Sequence, residues 1–206
     1  WFVYLGEPGA RGDVFGSMVS LNIGFNARKF GRIGFDVNSY FDMGNRLPSP
    51  PVLPDQITGD LRNMNFMPSV AGASGVMSGL HASFSIPKAT AFSVWGFGIS
   101  LEANAGMGID MAIRHLPGIS CAGRSDFGIN NWYAEARGYL YGNASLKGDL
   151  KWKTVNIVSV GFQSALMAQL PNPTSLRGKM EAHIRLPLYG RYRMNVGFSV
   201  GSTCDM

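Results

Sequence analysis

Between Trp95 and Ile113 the chain alternates apolar with polar or small residues without a break. Trp95, Phe97, Ile99, Leu101, Ala103, Ala105, Met107, Ile109, Met111 and Ile113 share one parity. Gly96, Gly98, Ser100, Glu102, Asn104, Gly106, Gly108, Asp110 and Ala112 share the other. In a helix neighbours turn by about 100°, which would scatter this set around the axis; in a strand it falls on one side. The pattern predicts one very long strand, or two collinear ones, with an oily face and a wet face. At about 3.3 Å per residue the unbroken run would span roughly 60 Å, whereas an ordinary strand holds about 5–6 residues.

The same periodicity recurs along most of the chain. Phe15–Ala27 and Ile33–Met43 read as a strand pair joined by the hairpin connector Arg28–Arg32. Leu80, Ala82, Phe84 and Ile86 predict a short strand ended by Pro87. Trp132–Trp152 alternates again, then Asn156–Leu170, Leu176–Leu188 and a last strand through Tyr192, Met194, Val196, Phe198 and Val200. Residues 46–75 break the rule. The prolines of LPSPPVLP forbid a regular helix or a central strand. Asp55–Asn65 has room for one helical turn. A loop this long is a functional excursion, a strap across the sheet, or a boundary between two sub-sheets. The organisation expected is an N-terminal hairpin (1–45), a Pro/Gly-rich loop (46–75) and a main antiparallel region (76–206), all in one domain.

An oily face of this size cannot stay in water. At about 1.5 kcal/mol per larger side chain buried, the long strand alone forfeits on the order of 10 kcal/mol if it remains wet. No amphipathic helix is available to cover it. The fold class expected is therefore all-β, with long antiparallel amphipathic strands in a large twisted sheet or β-sandwich, or alternatively a β-barrel. The face must close on itself, pack on a second sheet, or lean on lipid, on other domains of a parent protein or on copies of itself. Two details speak for a second protein layer over a membrane barrel. The long run is about twice the roughly 9–11 residues that cross a bilayer. Ala and Gly (Ala103, Ala105, Ala134, Ala136, Gly138, Gly142) also recur on the oily side, which suggests close approach by another layer.

Composition agrees with an exported sheet protein: 206 residues, 46% hydrophobic, 15% charged, 27 glycines. The net charge of +5 comes from scattered basic residues, which fit a solvated face better than a nucleic-acid surface. The opening WFVYLGEPG carries no signal peptide and reads as a piece of a longer polypeptide. Cys121 and Cys204 are the two cysteines. In an exported protein they would pair, and closing a loop of about 84 residues would add roughly 4–5 kcal/mol; in a reducing compartment they would stay two unpaired thiols.

The segments GINNWYAEARGYLYGNASLKG (Gly128–Gly148) and LMAQLPNPTSLRG (Leu166–Gly178), with a final strand ending in Cys204, resemble the C-terminal region of very large secreted Bacteroidetes surface proteins of the TANFOR-domain type. The resemblance spans roughly residues 118–206, with Ser175 standing where the family pattern has tryptophan. It implies an extracellular or cell-surface setting and a larger parent chain. It supplies no catalytic residue.

Reaction motifs are lacking. Arg11-Gly12-Asp13 is explained by a turn before a strand. His81, His115 and His183 are scattered among unlike segments rather than spaced as zinc ligands. GISCAG (Gly118–Gly123) has alanine where a nucleophile elbow needs glycine. GASG (Gly72–Gly75) lacks the Lys-Ser/Thr of a phosphate loop. Tyr133, Arg137, Tyr139 and Tyr141 form an aromatic-basic ladder on the polar side, readable as an interaction face for carbohydrate, peptide or a neighbouring protomer, or as ordinary cross-strand pairing. The reading is a non-enzymatic structural component of a bacterial surface assembly, without cofactor, metal or nucleic acid, partnered by its own copies or by other domains. The alternatives are an outer-membrane barrel or part of one, located in the outer membrane, and a lipid- or glycan-binding β domain.

Overall fold

The computed structural model describes residues 2–5, 19–27, 31–45, 47, 51–66, 73–94, 97–120, 127–187 and 189–202. Cys121, Cys204, Trp95 and the Arg11-Gly12-Asp13 tripeptide lie outside them. Nine antiparallel strands form one sheet: β1 (Phe2–Leu5), β2 (Val19–Ala27), β3 (Gly31–Gly44), β4 (Ser74–Val94), β5 (Phe97–His115), β6 (Trp132–Leu150), β7 (Lys153–Leu170), β8 (Ser175–Leu186) and β9 (Gly190–Gly201). From β3 to β9 each strand pairs with the next in the chain; β1 and β2 both pair with β3. Among the described residues the sheet is not closed into a barrel, and β9 has a partner on one side only.

The all-β expectation holds, and the long run is a single 19-residue strand, β5. Two local expectations change. Pro87 does not end β4, which runs for 21 residues because a register shift between Ile86 and Ala89 absorbs the proline. The loop after β3 separates no sub-sheets, since β3 pairs with β4 from Gly34↔Ser85 to Gly44↔Gly75. The helical turn expected within Asp55–Asn65 is present as one 3-10 turn, Gly59–Asn63.

The larger surprise is which face is covered. The alternation places the sides as expected, but the polar side is the buried one. On β5, Ser100, Asp110, Ala112 and Arg114 are buried, while Met107, Ile109, Met111 and Ile113 are each about half exposed. The same inversion holds for Leu166 and Leu170 against Met167 and Gln169 on β7. The cover is the chain's own loop, residues 51–66, which crosses the polar side as a strap.

Glycines on the oily side are filled from within the sheet. A Cβ on Gly142 would lie 2.4 Å from the ring of Phe162, its cross-strand partner. One on Gly178 would lie 2.5 Å from the ring of Phe198, likewise its partner. These two glycines therefore make room for aromatic rings of the neighbouring strand.

Gly142→Val is expected to destabilise the fold by about 1–3 kcal/mol through this clash. Denaturant unfolding should show that loss, and Gly142→Val/Phe162→Ala should recover much of it.

Candidate functional site: the strapped polar face

The polar side is built around Asp110, at the middle of β5 and directly opposite Arg137 of β6. Both are buried. Arg137 Nη2 donates to Asp110 Oδ2 at 2.7 Å and also to the Pro51 carbonyl of the strap at 2.7 Å. The second carboxylate oxygen, Oδ1, accepts the Tyr40 hydroxyl at 2.8 Å and lies 2.8 Å from His81 Nε2. His81 Nδ1 sits 2.6 Å from the Tyr139 hydroxyl. One tautomer satisfies every atom: Nε2–H donates to Asp110, and Nδ1 accepts from Tyr139.

Glycine makes this network possible. Tyr40 is on β3 and Asp110 on β5, two strands apart, with Gly79 of β4 between them. A Cβ on Gly79 would lie 2.3 Å from the Tyr40 ring and 2.6 Å from Asp110 Oδ1. His81 of β4 likewise reaches Tyr139 of β6 across Gly108 of β5, where a Cβ would meet the Tyr139 ring at 2.6 Å. Gly106 does the same for Tyr141. In sequence these glycines look like a wet, flexible strand face. In the fold they are windows through which side chains of alternate strands touch.

A second buried network lies toward the longer loops. Arg114 pairs with Glu135. Gln169 Nε2 donates to Glu135 Oε1 at 2.9 Å, and Ser175 Oγ donates to Gln169 Oε1 at 2.8 Å. Tyr133 donates to the Pro173 carbonyl at 3.1 Å and packs on Phe127, with ring centroids 4.5 Å apart. Ala73 and Leu116 complete this cluster. Ser175 thus fills a buried hydrogen-bonding position that a tryptophan could not serve in the same way.

The strap is held by packing and by polar tethers. Leu53, Ile57 and Leu61 are buried against Tyr139, Tyr141 and Ala165, each worth about 1.5–3 kcal/mol for full burial. Phe66 lies under the Arg137 guanidinium, 5.1 Å from ring centroid to Cζ. Thr58 N–H donates to Gln163 Oε1 at 2.8 Å, and Lys179 Nζ donates to Asp60 Oδ2 at 2.7 Å. That hydrogen bond from Lys179 holds the Asp60 carboxyl below the usual carboxylate range.

The four ladder residues come together as the alternation predicts. Tyr133, Arg137, Tyr139 and Tyr141 share the polar face, and all four are buried. Their contacts lie within the chain, under the strap and the Phe127 loop. Sequence reasoning missed Asp110, His81, Tyr40, Glu135 and Arg114. The one available signal was cross-strand charge pairing, Asp110 against Arg137, and it needed the register to be seen. Chemically the arrangement fixes and neutralises charge, and the hydroxyl that faces His81 is that of Tyr139. Among the described residues no three His, Cys, Asp or Glu side chains converge as a metal set.

Arg137→Met should leave Asp110 buried without its cation and cost about 3–5 kcal/mol. Denaturant unfolding reads that loss, and limited proteolysis should show faster cleavage within residues 51–66. Asp60 titrates below its ordinary value, so its contact with Lys179 contributes stability above that range and loses it as pH falls through the lowered value. Strap protection from protease should therefore persist to about pH 4, the ordinary range of an aspartate, and fall only below it.

Comparison with protein-family models, with curated proteins and with solved structures finds no match to this chain.

Proposed function

We propose that this chain is a wall segment of a membrane-embedded β-barrel, with its oily face toward lipid and its polar face lining an interior that the strap occupies. The observation that carries the reading is the inverted burial. The chain covers its charged side with its own loop and leaves its apolar side bare. A water-soluble sheet does the opposite, while a barrel in lipid alternates apolar-out and polar-in.

Three features support it. First, the stretch shared through the sheet is Gly34–Gly44 of β3, Gly75–Ser85 of β4, Asn104–Arg114 of β5, Tyr133–Asn143 of β6, Gly161–Leu170 of β7, Ser175–His183 of β8 and Arg193–Gly201 of β9. These stretches match the roughly 9–11 residues that cross a bilayer. Only β4–β7 run well past that belt, so the length of β5 is an extension beyond a common span. Second, the outward positions of the belt carry no charge, from Leu80 and Phe84 through Met107, Ile109, Leu140, Leu166 and Met180 to Val196 and Phe198. Third, the connections at one end are all short, whereas the other end carries the two long ones, residues 45–73 and 116–131, beside the short β7–β8 turn at residues 171–174. Residues 151–152 join β6 to β7 and residues 187–189 join β8 to β9, whereas residues 116–131 join β5 to β6. Exposed Trp152, Tyr189 and Tyr192 mark the short-turn end, and Trp132 the other, as aromatic girdles do.

No described helix is long and apolar enough to cross a membrane; on this reading the strands do the crossing. Lipid also tolerates no open sheet edge, so the outer edge of β9 is to be paired there by a further strand, from another part of a parent chain or another copy.

The full chain should insert into lipid vesicles, resist alkaline extraction and change gel mobility on heating. Ile109→Lys should lower the stability of the inserted form by about 2–4 kcal/mol, while Val52→Lys, on the exposed strap, should not. A chain that remains in the aqueous phase as a large detergent-free assembly overturns the reading in favour of a second protein layer over the oily face.

A further inference from the structure

We propose that the cavity between the strap and β8–β9 binds a soluble phosphate-class oxyanion, with Arg191 and Arg193 of β9 as its cationic ligands. The cavity has a volume of about 610 Å³. Its roof is strap residues Gln56, Thr58, Gly59 and Asp60, and its floor and wall include Asn143, Gln163, Lys179, His183, Arg191, Arg193 and Asn195. It lies on the polar side, away from the oily face.

The charge arrangement carries the proposal. Arg191 faces Arg185 directly across the β8–β9 pair, and Arg193 faces His183. Like charges directly opposite one another, as at Arg185 and Arg191, destabilise a sheet; elsewhere on the polar side Asp42 and Arg177 are, among the described residues, also without an ion pair. The two carboxylates at the cavity are already engaged: Asp60 and Glu181 both pair with Lys179, and Gln163 also donates to Glu181. Among the described residues Arg185, Arg191 and Arg193 form no ion pair. Arg191 and Arg193 thus line the cavity, with Arg185 opposite Arg191 in the register, and among the described residues none of the three guanidiniums makes a side-chain hydrogen bond. Two of them line the cavity from alternate positions of one strand, so both forks can reach one multivalent oxyanion. His183 is held in place beside them, since its ring covers Gly161, where a Cβ would approach it at 2.4 Å. Asn195 borders the same space, while the amides of Asn143 and Gln163 are engaged with Asn104 and with Thr58 and Glu181.

The test is titration of the full chain, in detergent micelles, with inorganic phosphate and pyrophosphate, followed by calorimetry and phosphorus NMR line width. Saturable binding is expected, tighter for pyrophosphate. Arg191→Gln/Arg193→Gln should weaken it by at least about tenfold, as loss of charged hydrogen bonds requires. Arg191→Lys/Arg193→Lys should retain a measurable part of it. Lys151→Gln removes one positive charge at the exposed β6–β7 turn and should change binding by less than about twofold, because solvent screens so distant a charge. If the double glutamine variant fails to fold by circular dichroism, Arg193→Gln alone should still weaken binding beyond the Lys151→Gln change. Absence of saturable binding in the native chain, or equal losses in the Lys151 and arginine variants, overturns the proposal. The outcome is independent of membrane insertion, since it is read in micelles whichever surface covers the oily face.

Discussion

The ion pair between Asp110 and Arg137 is the interaction on which the polar side depends. Two charges removed from water are costly unless every donor and acceptor finds a partner. Here Asp110 receives Arg137, Tyr40 and His81, and Arg137 also reaches the strap at Pro51. The strap in turn seals the pair from solvent. Neither element is stable without the other: the loop has little structure of its own beyond one 3-10 turn, and the buried charges require the loop as a lid. A polar wall and an irregular segment thereby become one unit.

Glycine sets the geometry of that unit. Long sheets join only neighbouring strands through backbone hydrogen bonds, so a contact between strands β3 and β5 must pass over β4. Gly79 and Gly108 remove the side chain that would block it. On the opposite face Gly142 and Gly178 receive Phe162 and Phe198 in the same manner. The high glycine content thus serves ring-over-glycine packing on both sides of the sheet, and gives a stiff wall in place of a pliable one.

The inverted burial, the charge-free belt and the unequal loops are brought together by the proposed reading, in which the oily face meets surroundings other than water. The polar side shows the complementary economy. The central pair Asp110–Arg137 and the pair Arg114–Glu135 are buried together, whereas Arg185, Arg191 and Arg193 form no ion pair among the described residues.

Much of this was legible in the sequence. Period-two alternation fixes the strands, because side chains of an extended chain must point to opposite sides whatever surrounds them. It placed β5 to within a few residues, grouped Tyr133, Arg137, Tyr139 and Tyr141 on one face, and made residues 46–75 a strap candidate. It also failed in specific ways. Pro87 reads as a terminator, yet a register shift absorbs it. Gly142, on the oily side, reads as part of a docking layer, yet it accommodates the cross-strand ring of Phe162. Alternation by itself has no sign: it says that two faces differ and not which one is covered. That choice belonged to the tertiary structure, because it depends on the register that sets Asp110 against Arg137 and on where a loop far away in the chain comes to rest.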